Sequence, residues 1–310
     1  MPFFDTEKCA SSVFDSPLRQ ILEKYDRKAN ALKMIGFAVI IAGIFTFFIE
    51  SIESPVHFFI IFAGVFILGI SGRGRRTFFR TVIIPELLKQ SMPSLKYQPH
   101  SGISRTKFSS YRLFPSFDRY DSEDKLSGKL GNTTFTAAEV HIEKEQNSKN
   151  GKTYRTIFRG ILFIADFNKE LNSRTVVLPD TAERCFGKLI GNFFQQMNFT
   201  KGSLVKLENP EFEKHFAVYS CSQIEARYIL TPQMMERLVR LRNKYKAKIR
   251  LLFENDHAII AIPKSSGWLE PPFFGSLARL DVLKNILVEI EDVLSIIDDL
   301  DLNTRIWTKK

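Results

Sequence analysis

Cysteine is scarce: Cys9, Cys185 and Cys221 lie far apart and form no CxxC pair. That argues against a disulfide or zinc framework and fits a reducing cytosol. The histidines His57, His100, His141, His215 and His257 include no HxH or HxxxH pair, so neither a metal nor another cofactor is expected. The glycines of "SGKLGNT" at 127–133 lack the Gly-Lys-Ser/Thr order of a phosphate-binding loop and read as a turn between strands. His215 and Cys221 would share one face of a strand, but at about 3.3 Å per residue they stand roughly 20 Å apart, too far to activate a thiol. Internal repeats and low-complexity tracts are missing too. No catalytic residue is assigned, and the reading leans away from an enzyme.

Charge is also missing from two segments, "MIGFAVIIAGIFTFFI" at 34–49 and "VHFFIIFAGVFILGI" at 56–70. Each is a little short of the ~20 residues that cross a bilayer, but Ala31, Leu32 and Ile52 can lengthen them and Lys33 can snorkel. Apolar residues surround each segment on all sides, whereas a helix packed on a soluble core would carry a polar stripe. Two transmembrane helices are therefore expected, at about 31–50 and 54–72. A cleaved signal peptide is not, because charged and polar residues fill most of the chain ahead of the first segment.

The linker "ESIESP" carries Glu50 and Glu53 but no Lys or Arg. Its outer flanks are the opposite: Lys24, Arg27, Lys28 and Lys33 precede the first span, and Arg73, Arg75, Arg76 and Arg80 follow the second. The positive-inside rule then places both termini in the cytoplasm. The four arginines are expected at anionic headgroups, where each basic residue is worth about 1 kcal/mol.

Ser16 as N-cap and Pro17 at the first helical position start a helix that places Leu18, Ile21, Leu22 and Tyr25 on one face. Beyond the second span, Val82, Ile83, Leu87 and Leu88 keep helical spacing, with a kink expected at Pro85. Residues 1–95 thus read as an N-terminal helix, the hairpin and a cytoplasmic stalk. "SMPSLKYQPHSG" marks the boundary of a soluble α+β region, 96–310, either one domain or two subdomains at 96–200 and 201–310.

Within it, "NTTFTAAEVHIEKE" alternates as a strand, and Asn150-Gly151 signals a hairpin into "TYRTIFRGILFIADF". "RTVVL" reads as a third strand, and Asp180 with Glu183 opens a helix in capping-box spacing. Then come a strand "HFAVYS", helices from Ser222 and Thr231-Pro232, a hairpin turning at Asn255-Asp256, and a long helix from about 276 to 300. The expected class is antiparallel sheet with packed helices.

In "MMERLVRLRNKYKAKIR" the cations Arg237, Arg240, Lys244 and Lys248 take one helical face, and Met234, Leu238, Leu241 and Tyr245 another. Such a helix suits an anionic phospholipid surface or an acidic protein partner. Without an aromatic stacking motif, nucleic acid is disfavoured. The acids Glu289, Glu291, Asp292, Asp298 and Asp299 offer an alternative, in which they satisfy the basic helix within the chain. The competing functional class is a membrane-tethered enzyme acting on a lipid-derived or phosphorylated substrate. It would need a pocket with a carboxylate such as Glu139 or Asp166 beside a basic residue.

The blocks "FRGILFIADFNKELNSRTVVLPD" (158–180), "LENPEFEKHFAVYSCSQIEARYILTPQMMERL" (207–238) and "LNTRIWTK" (302–309) resemble the bacterial DUF3137 family, as do "SGISRTKFSSYRLF" and "RYDSEDKLSGKLGNTTFTAAEV". The resemblance implies paired N-terminal membrane segments before a cytosolic domain, a place in the bacterial inner membrane, and a LemA-type or other membrane protein as partner. It implies no reaction. A homo-oligomer is the remaining expectation, should the stalk helices pack between chains.

Overall fold

The computed structural model describes residues 5–14, 18–49, 54–148, 151–180, 203–272 and 275–303. It forms two compact units, Met1–Pro93 with Leu269–Ile290, and Ser94–Trp268 with Glu291–Lys310.

In the first unit, α1 (Thr6–Phe14) precedes α2 (Leu18–Thr46) and α3 (Ser54–Phe78), which leads through a π turn (Phe79–Ile83) into α4 (Ile84–Ser91). Two helical runs, Leu18–Thr46 and Pro55–Ser91, are long and apolar enough to cross a membrane. They pack as a hairpin because small residues let the backbones approach: a Cβ on Gly64 would lie 2.5 Å from Ile40 Cγ1 and 2.8 Å from the Gly36 carbonyl oxygen. Polar side chains at this seam are satisfied within it. His57 Nδ1 lies 2.7 Å from Thr46 Oγ1, and the Ser71 hydroxyl donates to the Ala29 carbonyl at 3.2 Å.

The outward surface is apolar, with Ile41, Phe45, Phe48, Phe58, Phe62 and Phe66 exposed. In each run less than a quarter of the most apolar window is buried (22% and 17%), the reverse of a soluble core helix. Lys33, expected to reach outward, is buried instead. The kink expected at Pro85 takes the form of the π turn just ahead of it, since proline has no N–H to continue the regular ladder. The Ser16–Pro17 cap and most of the linker between the spans lie outside the described residues.

Among the described residues the second unit is built on an antiparallel sheet of seven strands: β1 (Lys96–Gln98), β2 (Arg119–Leu130), β3 (Thr133–Ser148), β4 (Gly151–Pro179), β5 (Ser203–Val205), β6 (Phe216–Ser220) and β7 (Arg250–Pro263). Their order is β1-β2-β3-β4-β6-β5, with β7 also pairing with β4. Besides a single turn at Pro210–Glu213, its helices among the described residues are α5 (Arg105–Ser110), α6 (Gln223–Ile229), α7 (Pro232–Tyr245) and the last part of α8 (Leu280–Asp299). The α+β class is as expected. The helix starts are too: Ser222 and Thr231 cap α6 and α7 by accepting the N–H groups of Glu225 and Met234, and Pro232 follows Thr231.

Two strand readings are corrected. "RTVVL" is no separate strand but the end of the 29-residue β4, whose earlier half pairs with β3 and whose final residues pair with β6. Nor does the chain reverse at Asn255-Asp256; β7 runs straight through, pairing with β4 from Gly160–Pro263 to Val177–Leu251. Asn255 adopts a left-handed φ of 55° and absorbs a bulge, while β4 breaks register between Asp166 and Thr175 at the same level. The β3–β4 hairpin expected at Asn150-Gly151 forms, but Gly151 is already in the ladder, paired with Ser148, and Asn150 lies outside the described residues; "SGKLGNT" contains the β2–β3 turn, with Gly131 at φ 58°. The helix expected from Asp180 lies almost wholly outside the described residues.

One face of the sheet buries Val140, Ile142, Leu162, Ile164, Val176 and Leu252. It is closed by Ile103, Phe108, Leu113 and Phe114 from α5 and the chain on either side of it.

Candidate functional site

The four arginines that follow the second apolar segment separate into two kinds. Arg75 and Arg80 are 2% and 3% exposed. Arg75 Nη1 stands 3.5 Å from Asp26 Oδ1, and its Nη2 donates to the Gly275 carbonyl at 2.7 Å. The second oxygen of Asp26 accepts the Ser276 hydroxyl at 2.6 Å and the N–H groups of Leu277 and Ala278 at 2.6 and 3.0 Å. Glu270 is shared by Arg80 Nη2 at 3.0 Å and Arg76 Nε at 2.9 Å. These contacts fasten Leu269–Ile290 to the helices of its own unit. Arg73 and Arg76 are exposed, Arg76 while paired with Glu270. The acids at Asp26 and Glu270 were not singled out in the sequence; Asp26, inside the basic flank one turn before Ala29, was the visible hint.

The basic helix α7 divides in the same way. Arg237 Nη1 is 3.0 Å from Asp301 Oδ2, and Lys244 Nζ lies 3.4 Å from Asp292 Oδ1 and 3.3 Å from Asp299 Oδ2. The Tyr245 hydroxyl donates to the Asp292 carbonyl at 2.7 Å, and burial first, then Asp292 and Asp299, pushes its phenol well above the ordinary range. Two acids of α8 and Asp301 just after it thus satisfy half of the patch within the chain. Arg240 stays exposed on α7; Lys248, expected on the same helical face, is also exposed but lies beyond the helix, which ends at Tyr245 with Lys246 left-handed, and neither has a carboxylate partner among the described residues.

Glu139 and Arg159 form the carboxylate-to-cation arrangement sought for an enzyme. Glu139 is buried; Oε1 accepts Arg159 Nε at 3.3 Å and Oε2 accepts the Trp268 N–H at 2.7 Å. Glu123 and Asp124 bring further carboxylate oxygens within 4.8 Å of it, and the Tyr97 hydroxyl donates to Asp124. Both Glu139 oxygens are held by protein donors, which suits a structural joint better than a proton shuttle. Asp166 stands opposite His257 in the β4–β7 ladder, away from Glu139's place opposite Ile161. His215, which contacts Glu211 at 3.3 Å, and the exposed Cys221 flank opposite ends of β6, so the two form no pair.

Residues 156–302 match the model of a family described as a protein of unknown function, DUF3137. Over those residues the chain belongs to the DUF3137 family. The DUF3137 match begins inside β4 and reaches past α8, so it contains α7, β7 and the acids that face α7. No curated protein matches this chain. Among solved structures, the crystal structure of the mycobacterial trehalose monomycolate transport factor A, TtfA, is similar at 11% identity over 73% of this chain and 94% of that one, with a TM-score of 0.33.

Proposed function

We propose that this DUF3137 protein is a non-catalytic, bilayer-anchored binding protein: α2 and α3 span a bacterial inner membrane, both termini are cytoplasmic, and the second unit engages the anionic face of that membrane. The observation that carries the reading is the hairpin, in which large apolar side chains point outward while glycines and hydrogen-bonded polar groups occupy the seam. Topology rests on the basic flanks against a linker without Lys or Arg. The net charge of +10 and the exposed Arg73, Arg76, Arg240 and Lys248 favour an anionic surface.

The test is an alkaline carbonate wash of membranes from cells making the full chain, followed by native mass spectrometry of the detergent extract. The reading expects the protein in the washed pellet and retained anionic lipid. Release by carbonate would refute the anchor. A stoichiometric protein without anionic lipid, whether a LemA-type membrane protein or a second copy, would replace the lipid surface with a protein partner.

A further inference from the structure

The second unit carries an open cleft of about 820 Å³ that shares Lys248 with the basic surface at the end of α7 but otherwise lies apart from both basic surfaces described above. One wall is β4 from Thr156 to Arg159 and another is the turn that carries α7 into β7. Lys246 makes that turn in the left-handed region, at φ 48°, so that Lys246, Lys248 and Arg250 all line the cleft. Arg159 and Lys264 line it too, joined through the Lys264 N–H, which donates to the Arg159 carbonyl at 3.0 Å. Among the lining residues there are five cations and no Asp or Glu. Phe114, Ile157 and Phe158 supply an apolar floor.

Arg159 is already neutralised by Glu139. Arg250 is different. Its guanidinium donates to the Leu113 carbonyl at 3.0 Å and lies 4.6 Å from the centroid of the Phe114 ring, but it meets no carboxylate among the described residues. Burial lowers its pKa to about 10. A desolvated cation without an anion is costly, and such a group beside two exposed lysines invites a bound anion. The volume is that of a small-ligand site, and the aromatic and aliphatic floor would be wasted on a free inorganic ion.

We propose that this cleft binds one anionic phospholipid, with its phosphate between Lys246, Lys248 and Arg250 and its apolar part against Phe114, Ile157 and Phe158. The proposal deepens the membrane-anchored reading and rests on it, because the anchor is what supplies the lipid.

The experiment uses the full chain in neutral detergent. Phosphatidylglycerol or phosphatidylcholine is added, and retained lipid is counted by native mass spectrometry, with and without excess inorganic phosphate. The expected result is one phosphatidylglycerol kept in preference to phosphatidylcholine, not displaced by phosphate, and bound about tenfold more weakly by the Lys246→Ala/Lys248→Ala variant. Both lysines are exposed, so the variant should fold. Equal retention of the two lipids, unchanged retention by the variant, or displacement by phosphate would each overturn the proposal. Carbonate washing of membranes reads the anchor separately: the variant should stay in the pellet, and a wild-type chain released by the wash would refute the anchor while leaving the cleft measurement to stand by itself.

Discussion

Asp26 Oδ2 accepts the backbone N–H of Leu277 at 2.6 Å, joining residues 251 positions apart. The same oxygen takes Ser276 and Ala278, and the other faces the buried Arg75. Removing the carboxylate leaves a buried guanidinium and several donors uncompensated. Asp26→Ala should therefore cost about 3–5 kcal/mol, and Asp26→Asn less, since its amide oxygen still accepts. Unfolding of the full chain in detergent measures this; a loss of under about 0.5 kcal/mol would show that the cluster contributes little.

Gly160 stands opposite Pro263 where β4 and β7 pair, and a Cβ there would lie 2.1 Å from the Ile262 carbonyl oxygen. Both groups are backbone and cannot move aside cheaply. Gly160→Ala should destabilise by about 1–3 kcal/mol, measured by denaturant midpoint, whereas Gly69→Ala, which meets nothing within 4 Å, should not.

The buried Tyr245 makes stability depend on pH above 10. Its phenol stays protonated in the folded protein while the unfolded chain ionises near its ordinary value of 10.0. The folded state then holds the extra proton, so this group's contribution is fully present below that value and falls by about 1.4 kcal/mol per pH unit above it. Tyr245→Phe loses the bond to the Asp292 carbonyl, about 1 kcal/mol at pH 8, but escapes the alkaline loss. The variant should be less stable than wild type at pH 8 and overtake it by about pH 11. A difference that does not change with pH would refute the assignment.

Charge on α7 and the turn that follows it should divide by partner. Replacing Arg237 and Lys244 by Ala removes exposed pairs to Asp301, Asp292 and Asp299 and should change stability by about 1 kcal/mol or less, with little effect on vesicles. Replacing Arg240 and Lys248 should leave stability unchanged and weaken binding of the full protein to anionic vesicles at low salt. Equal vesicle binding by both variants would remove α7 from the membrane contact.

Local signals were legible and distant ones were not. The uncharged runs at 34–49 and 56–70 and the caps at Ser222 and Thr231 each depend on neighbours in sequence, and each marked its element; the signal at Asn150-Gly151 marked the hairpin, though Gly151 itself pairs in the ladder with Ser148. Asn255-Asp256 looked like a hairpin because a left-handed residue serves a turn and a bulge equally; only pairing with β4 decides between them. Arg75 and Arg80 looked like headgroup contacts because their partners, Asp26 and Glu270, are far away along the chain. The cleft was invisible for the same reason: Arg159, Lys246 and Lys264 meet only through the sheet.

The most direct test of the anchor and its topology is labelling of spheroplasts with a membrane-impermeant maleimide. The native Cys221 is exposed in the second unit, and Ile49→Cys would place a thiol at the far end of the first span, beside the linker. The account expects Ile49→Cys to label in intact spheroplasts and Cys221 to label only after permeabilisation. Labelling of Cys221 from outside, or protection of position 49 until the membrane is dissolved, would contradict it.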